Sequence, residues 1–163
     1  MSKVKKVAVL SKLKRTQIEE TLKDFKCLIS RYNEVRDDET LLNCFCSRNR
    51  SQLWDLTSVN FFRTGLMSQK LIDFGGATVD DHYIQRIIST KIIFELLRKN
   101  PDMTVDEFIT LVKRYVSTIL IAKDEHMKIT PYVKKTGKMN YMAYEDVGII
   151  IPGLKEYLIE NQL

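Results

Sequence analysis

Cysteine, proline, tryptophan and histidine are all scarce in this chain, and each scarcity excludes something. Three cysteines in 163 residues, Cys27, Cys44 and Cys46, cannot build a disulfide framework, and their odd number fits reduced thiols. Cys44-Phe45-Cys46 offers two soft ligands, but no Cys-x-x-Cys pair stands elsewhere to complete a four-ligand zinc site, so the thiols are expected to be buried. Three prolines and six glycines exclude a collagenous chain. The longest strongly apolar stretch, Val147-Gly148-Ile149-Ile150-Ile151, is far short of the roughly 20 residues that span a bilayer. The N-terminal lysines have no long apolar segment behind them, so an intracellular, cytoplasmic protein without a secretion signal is expected.

What is present is a chain with 44% hydrophobic and 29% charged residues, enough for one soluble domain with a buried core. The net charge of +5 is unevenly placed. Lys3, Lys5, Lys6, Lys12, Lys14 and Arg15 give residues 1–15 a charge of +6 with no acid, leaving −1 for the other 148 residues. Such an arm suits a polyanion, because each cation that neutralises a phosphate releases a condensed counterion. A solvated tail is the alternative reading.

Hydrophobic spacing organises the rest. After a short strand at Val7 to Leu10, apolar residues recur at helical steps from Thr16 to Val35, with Thr16 and Glu19 as a capping box. Arg36-Asp37-Asp38-Glu39 is a polar break, with Asp38 or Thr40 capping a short helix over Leu41 to Phe45. Between Ser47 and Phe74, Arg48, Arg50 and Arg63 are interleaved with Trp54, Phe61 and Phe62. Guanidinium and ring groups in that mixture can meet phosphates and bases, whereas each ring taken alone reads as core. Gly75-Gly76 marks the clearest turn. A strand over Ala77 to Ile84, a helix over Arg86 to Lys99 and a second helix capped by Thr104 with Glu107 follow. The β-branched run from Ser117 to Ala122 reads as another strand, and Lys123 to Lys128 as a helix start. A Pro152-Gly153 turn and a short terminal helix close the chain, with no chemistry expected of them.

Only two histidines exist, 44 residues apart, and each follows an acid: Asp81-His82 at the end of the first strand after the glycines, Glu125-His126 at the start of the helix after the last strand. A histidine near neutrality can take a proton from water, while a carboxylate and a second imidazole can hold a divalent ion that stabilises charge growing on a phosphate. Two satisfied or solvent-facing histidines with acidic neighbours are the competing reading. Glu125 is second to Asp81 as a ligand because Glu125 and His126 point about 100° apart on a helix. Asp80, facing the opposite side of its strand from Asp81, reads as a solvated carboxylate.

The order of these parts resembles the ββα-metal finger of HNH endonucleases. Asp81-His82-Tyr83-Ile84-Gln85-Arg86 is similar to that family's Asp-His-hydrophobic-hydrophobic-Pro opening. Thr118 to His126 is similar to the second strand and closing "Lys-x-Glu-Asn/His" of phage-borne, homing-type members. The resemblance covers residues 75 to about 130. It implies that His82 is the general base and that Asp81 and His126 are the metal ligands, with Mg²⁺ or another divalent ion such as Mn²⁺ held mostly by water and phosphate. Arg86, four residues past the base, is a candidate phosphate contact. Two features depart from the pattern: Gln85 replaces the proline, and the middle asparagine falls at Ser117 or Thr118, where a hydroxyl would brace the site, so Ser117 joins the catalytic candidates.

The fold expected is α+β, a predominantly helical single domain with an embedded ββα-metal finger. Residues 1–15 are the basic arm, 16–74 a helical DNA-contacting region, 75–134 the nuclease core, and 135–163 a segment for packing or dimerisation. The function expected is a metal-dependent, homing-type DNA endonuclease acting on phage DNA in the host cytoplasm. Double-stranded DNA is its partner, a homodimer is possible in principle, and the arm with Arg48, Arg50 and Arg63 extends the contact. A non-catalytic nucleic-acid-binding regulator with a degenerate finger is the second reading, and a helical module docking an acidic protein the third.

Overall fold

A computed structural model describes residues 10–57 and 62–163, without the side chains of Trp54 and Thr57. Lys3, Lys5, Lys6, Phe61 and, of the strand expected at Val7 to Leu10, all but Leu10 lie outside the described residues, and Leu10 is in no strand. The architecture is mostly helical with one three-stranded sheet, an α+β arrangement. No helix among the described residues is long and apolar enough to cross a membrane.

Five helices enclose the first core: α1 (Lys12–Cys27), α2 (Ile29–Val35), α3 (Glu39–Thr57), α5 (Arg86–Lys99) and α6 (Val105–Val116). The stripe expected in α1 is present, with Ile18, Leu22 and Phe25 buried. Its start differs from expectation. Ser11 Oγ accepts from the Lys14 N–H at 3.2 Å and caps the helix, whereas the Thr16 hydroxyl donates to the Lys12 carbonyl. The helix also ends early, because Leu28 at ψ −5° turns its N–H onto Asp24 and Phe25 carbonyls and separates α2 from α1. Asp38 caps α3 through the Leu41 N–H as expected, but α3 runs on to Thr57. The Thr104 and Glu107 capping box opens α6 as read from the sequence.

Phe94 of α5 is the hub of this core. Its ring stacks on Phe25 at 4.6 Å and on Tyr32 at 5.5 Å, and meets Phe45 edge-on at 4.8 Å. Such pairs add to the area each ring buries. Phe62 is buried here too, as is Cys46, whereas Cys27 and Cys44 are exposed free thiols, contrary to the expectation that all three are inside.

The second core lies between the sheet and the C-terminal elements. Strand β3 (Thr118–Ala122) is central, flanked by β1 (Arg63–Met67) in parallel and β2 (Thr78–His82) antiparallel. The β2 register pairs Asp80 with Leu120, Asp81 with Ile119 and His82 with Thr118. Between β1 and β2 comes α4 (Gln69–Phe74), which ends at Gly75 and Gly76 with φ of 66° and 116°, values a side chain resists. Directly after β3, α7 (Lys123–Thr136) starts, then α8 (Asn140–Ala143) and α9 (Leu154–Glu160). Ile119, Ile121, Ile129, Tyr83 and Tyr144 fill this core, and Tyr115 touches both cores.

Phe94 is fully buried and Leu13 is 72% exposed. Phe94→Ala should therefore cost about 3–5 kcal/mol in urea unfolding, and Leu13→Ala should stay within about 0.5 kcal/mol of the parent. Equal effects would contradict the placement of the helical core.

Candidate active site

Strand β2 is an edge strand, so side chains from both its faces reach round to one cavity of about 490 Å³ lined by Asp81, His82, His126, Arg86 and Arg50. The two histidines, so far apart in the chain, share that cavity. Antiparallel pairing with β3 puts Thr78 opposite Ala122, so α7 starts beside the first residue of β2 and packs against that strand, bringing His126 to Asp81 three residues further along β2. The helix start is fixed by Glu125, whose buried carboxylate accepts the Ala122 N–H at 2.9 Å. Glu125 is thereby a cap, and His126 is the residue that α7 turns toward β2.

Asp81 is only 3% exposed. Its Oδ1 lies 3.0 Å from His126 Nδ1, and its Oδ2 accepts from Tyr144 Oη at 2.5 Å and Asn140 Nδ2 at 2.9 Å. A carboxylate taken out of water needs such donors. His126 is 39% exposed, and its hydrogen bond to Asp81 holds the imidazole above its ordinary value. Tyr144 is buried beside Asp81, which keeps its hydroxyl protonated as a donor.

His82 is 8% exposed, and burial pushes its imidazole down to about 4. Its Nδ1 lies 2.9 Å from the Val116 carbonyl. A carbonyl only accepts, so Nδ1 carries the proton and Nε2, itself shielded from solvent, carries the lone pair. Arg86 is held below its ordinary value, first by burial and then by the neighbouring charge of Arg50. Both side chains are exposed where they line the cavity, and two neighbouring guanidiniums favour an anion beside them.

A carboxylate and an imidazole are donors that a divalent cation accepts, and the 3.0 Å between Asp81 Oδ1 and His126 Nδ1 is a hydrogen bond whose proton an ion would have to replace. Among the described residues no group of three or more histidines, cysteines or acids could hold a metal, so water and substrate would have to supply the remaining ligands. That suits Mg²⁺ or Mn²⁺, which keep waters, rather than a closed zinc site.

Other sequence candidates sit elsewhere. Ser117 is buried at the end of α6, where its hydroxyl donates to the Lys113 carbonyl, and it does not line the cavity. Lys14 is buried with its Nζ donating to the Asp55 carbonyl, which corrects its place in a solvent-facing basic arm. Arg15 pairs with Asp106 at 2.9 Å, and Arg63 grips Asp80 through two hydrogen bonds of 2.8 and 2.7 Å. Asp80 is thus an ion-pair partner, not a solvated carboxylate. Lys12 and Arg48 are exposed. Tyr144 and Asn140 were missed in the sequence; their i,i+4 spacing, which puts both polar tips on one helical face, was the available signal.

No family model, curated protein or solved structure matches the chain.

In metal-free protein with chelator, the two imidazoles should titrate far apart by NMR. His82 should remain neutral until about pH 4, since the unfolded chain takes that proton near 6.5 and burial opposes it. His126 should titrate above 6.5. Two resonances moving together near 6.5 would contradict the site geometry.

Proposed function

We propose that this chain is a metal-dependent DNA endonuclease of the HNH type, hydrolysing phosphodiester bonds. One observation carries the reading: Asp81 and His126, 45 residues apart, meet at 3.0 Å where an antiparallel strand pair runs into a helix, in a cavity shared with His82. The succession of β2, β3 and α7 supports the reading, since two antiparallel strands followed by a helix are the parts of such a finger, here with α5 and α6 inserted between the strands.

In this reading His82 Nε2 accepts a proton from a water as its oxygen forms a bond to phosphorus. The phosphorus–oxygen bond to the leaving nucleoside breaks in line, and the leaving oxygen takes a proton from solvent. Arg86 and Arg50 balance the charge that collects on the non-bridging oxygens. Asp81 and His126 would hold the cation in place of the proton they share, and Mg²⁺ or Mn²⁺ would supply positive charge to offset that growing on the phosphate. Arg50, Arg86 and Lys134 line the cavity together with Asp80 and Asp81, and cations of this kind suit a substrate recognised through its phosphate backbone.

A non-catalytic nucleic-acid-binding protein is the second reading, favoured by the burial of His82, which weakens its imidazole as a base. Cleavage separates the two. Purified protein with Mg²⁺ or Mn²⁺ should nick or cut duplex DNA, and His82→Ala should slow this by about 10²-fold or more while DNA binding persists. His82→Ala cutting as fast as the parent would remove the assigned base. Salt-sensitive binding without any metal-dependent cleavage would favour the second reading.

A further inference from the structure

We infer that the C-terminal segment completes the candidate metal site, with Tyr144 and Asn140 as positioning residues that fix which oxygen of Asp81 faces His126. This rests on the endonuclease reading of the Asp81 and His126 pair.

A carboxylate on a strand can rotate about its last torsion, which is broad and roughly two-fold, so its oxygens are interchangeable unless neighbours distinguish them. Here they are distinguished. Tyr144 Oη and Asn140 Nδ2 both donate to Oδ2, leaving Oδ1 opposite His126 Nδ1. Neither donor is placed by chance. The Tyr141 N–H bonds the Tyr83 carbonyl at 3.0 Å, pinning α8 just beyond the end of β2. Tyr144 is 1% exposed among Ile119, Ile129 and Ile149, and the Ile149 N–H closes onto its carbonyl at 2.8 Å. Packing thus sets the ring, and the ring aims one hydroxyl at one oxygen. In metal sites such outer partners are worth about 10–100-fold in metal affinity.

The bracing that the HNH pattern assigns to an asparagine between the two motif halves is, in this chain, supplied from beyond them. Ser117 is turned to the Lys113 carbonyl, and the side-chain amide that reaches the site is that of Asn140, 14 residues after His126.

The test uses the full chain and Mn²⁺ alone, with free Mn²⁺ followed by EPR and folding followed by thermal midpoint. Asp81→Asn should abolish the site. Tyr144→Phe, which keeps the buried ring, should weaken Mn²⁺ binding about tenfold, and Tyr144→Phe with Asn140→Ala should weaken it further. On DNA, kcat at fixed Mn²⁺ should fall while KM for DNA stays unchanged. Should Tyr144→Phe fail to fold, Asn140→Ala, at a half-buried position, carries the same expectation. If Asp81→Asn loses Mn²⁺ but the folded Tyr144 or Asn140 variants bind it within about threefold of the parent, the positioning role is overturned and the endonuclease reading stands. If the parent binds no Mn²⁺, or Asp81→Asn binds it unchanged, both fall together.

Discussion

The buried carboxylate of Asp81 is the constraint around which this part of the molecule is arranged. A charge with 3% exposure is costly unless donors surround it, and removing one partner from such a group costs more than the bond itself contributes. Its partners come from two places in the chain: His126 from the helix after β3, Asn140 and Tyr144 from the segment after that helix. Holding them together requires β2 to pair with β3, α7 to start at once, and α8 to dock at the end of β2. The sheet register, the Glu125 cap and the Tyr83 to Tyr141 backbone bond each serve that convergence.

The helical core contributes in a different way. Phe94 and its ring partners fix α5 against α3, and α5 and α3 in turn carry Arg86 and Arg50 to the rim of the cavity. The apolar packing of one core therefore sets the charge balance of a site built on the other. The cavity thus joins a buried, partnered Asp81 and a His82 that burial keeps neutral to two exposed guanidiniums at its rim.

Most of the elements were legible in the sequence, and the reasons for the misses are physical. Long amphipathic stretches announced α5 and α6, and Thr104 with Glu107 announced the start of α6, because helical spacing and a cap are local signals. Thr16 misled because Ser11 caps five residues earlier in a stretch whose lysines hide the period. β1 was invisible: Arg63-Thr64-Gly65-Leu66-Met67 has a glycine at φ 82° and depends on β3 for its pairing, which is a tertiary property. At the site, Asp81, His82 and His126 stood out because histidines are rare here and each follows an acid. Ser117 was chosen by its offset from a motif, which carries no information about where a hydroxyl points. Lys14 counted as one charge among six, yet its long side chain turns inward to a carbonyl. Asn140 and Tyr144 lay in a stretch without motif character, where i,i+4 spacing marks a shared face but only the fold shows that this face meets Asp81.

The claim that Asp81 and His126 form one cation site is tested most directly by pulsed EPR of Mn²⁺ bound to the full chain in solution. Nitrogen modulation from one directly coordinated imidazole, absent in His126→Ala, is the result this arrangement predicts. A bound Mn²⁺ with only water and oxygen around it, unchanged by His126→Ala, would contradict it.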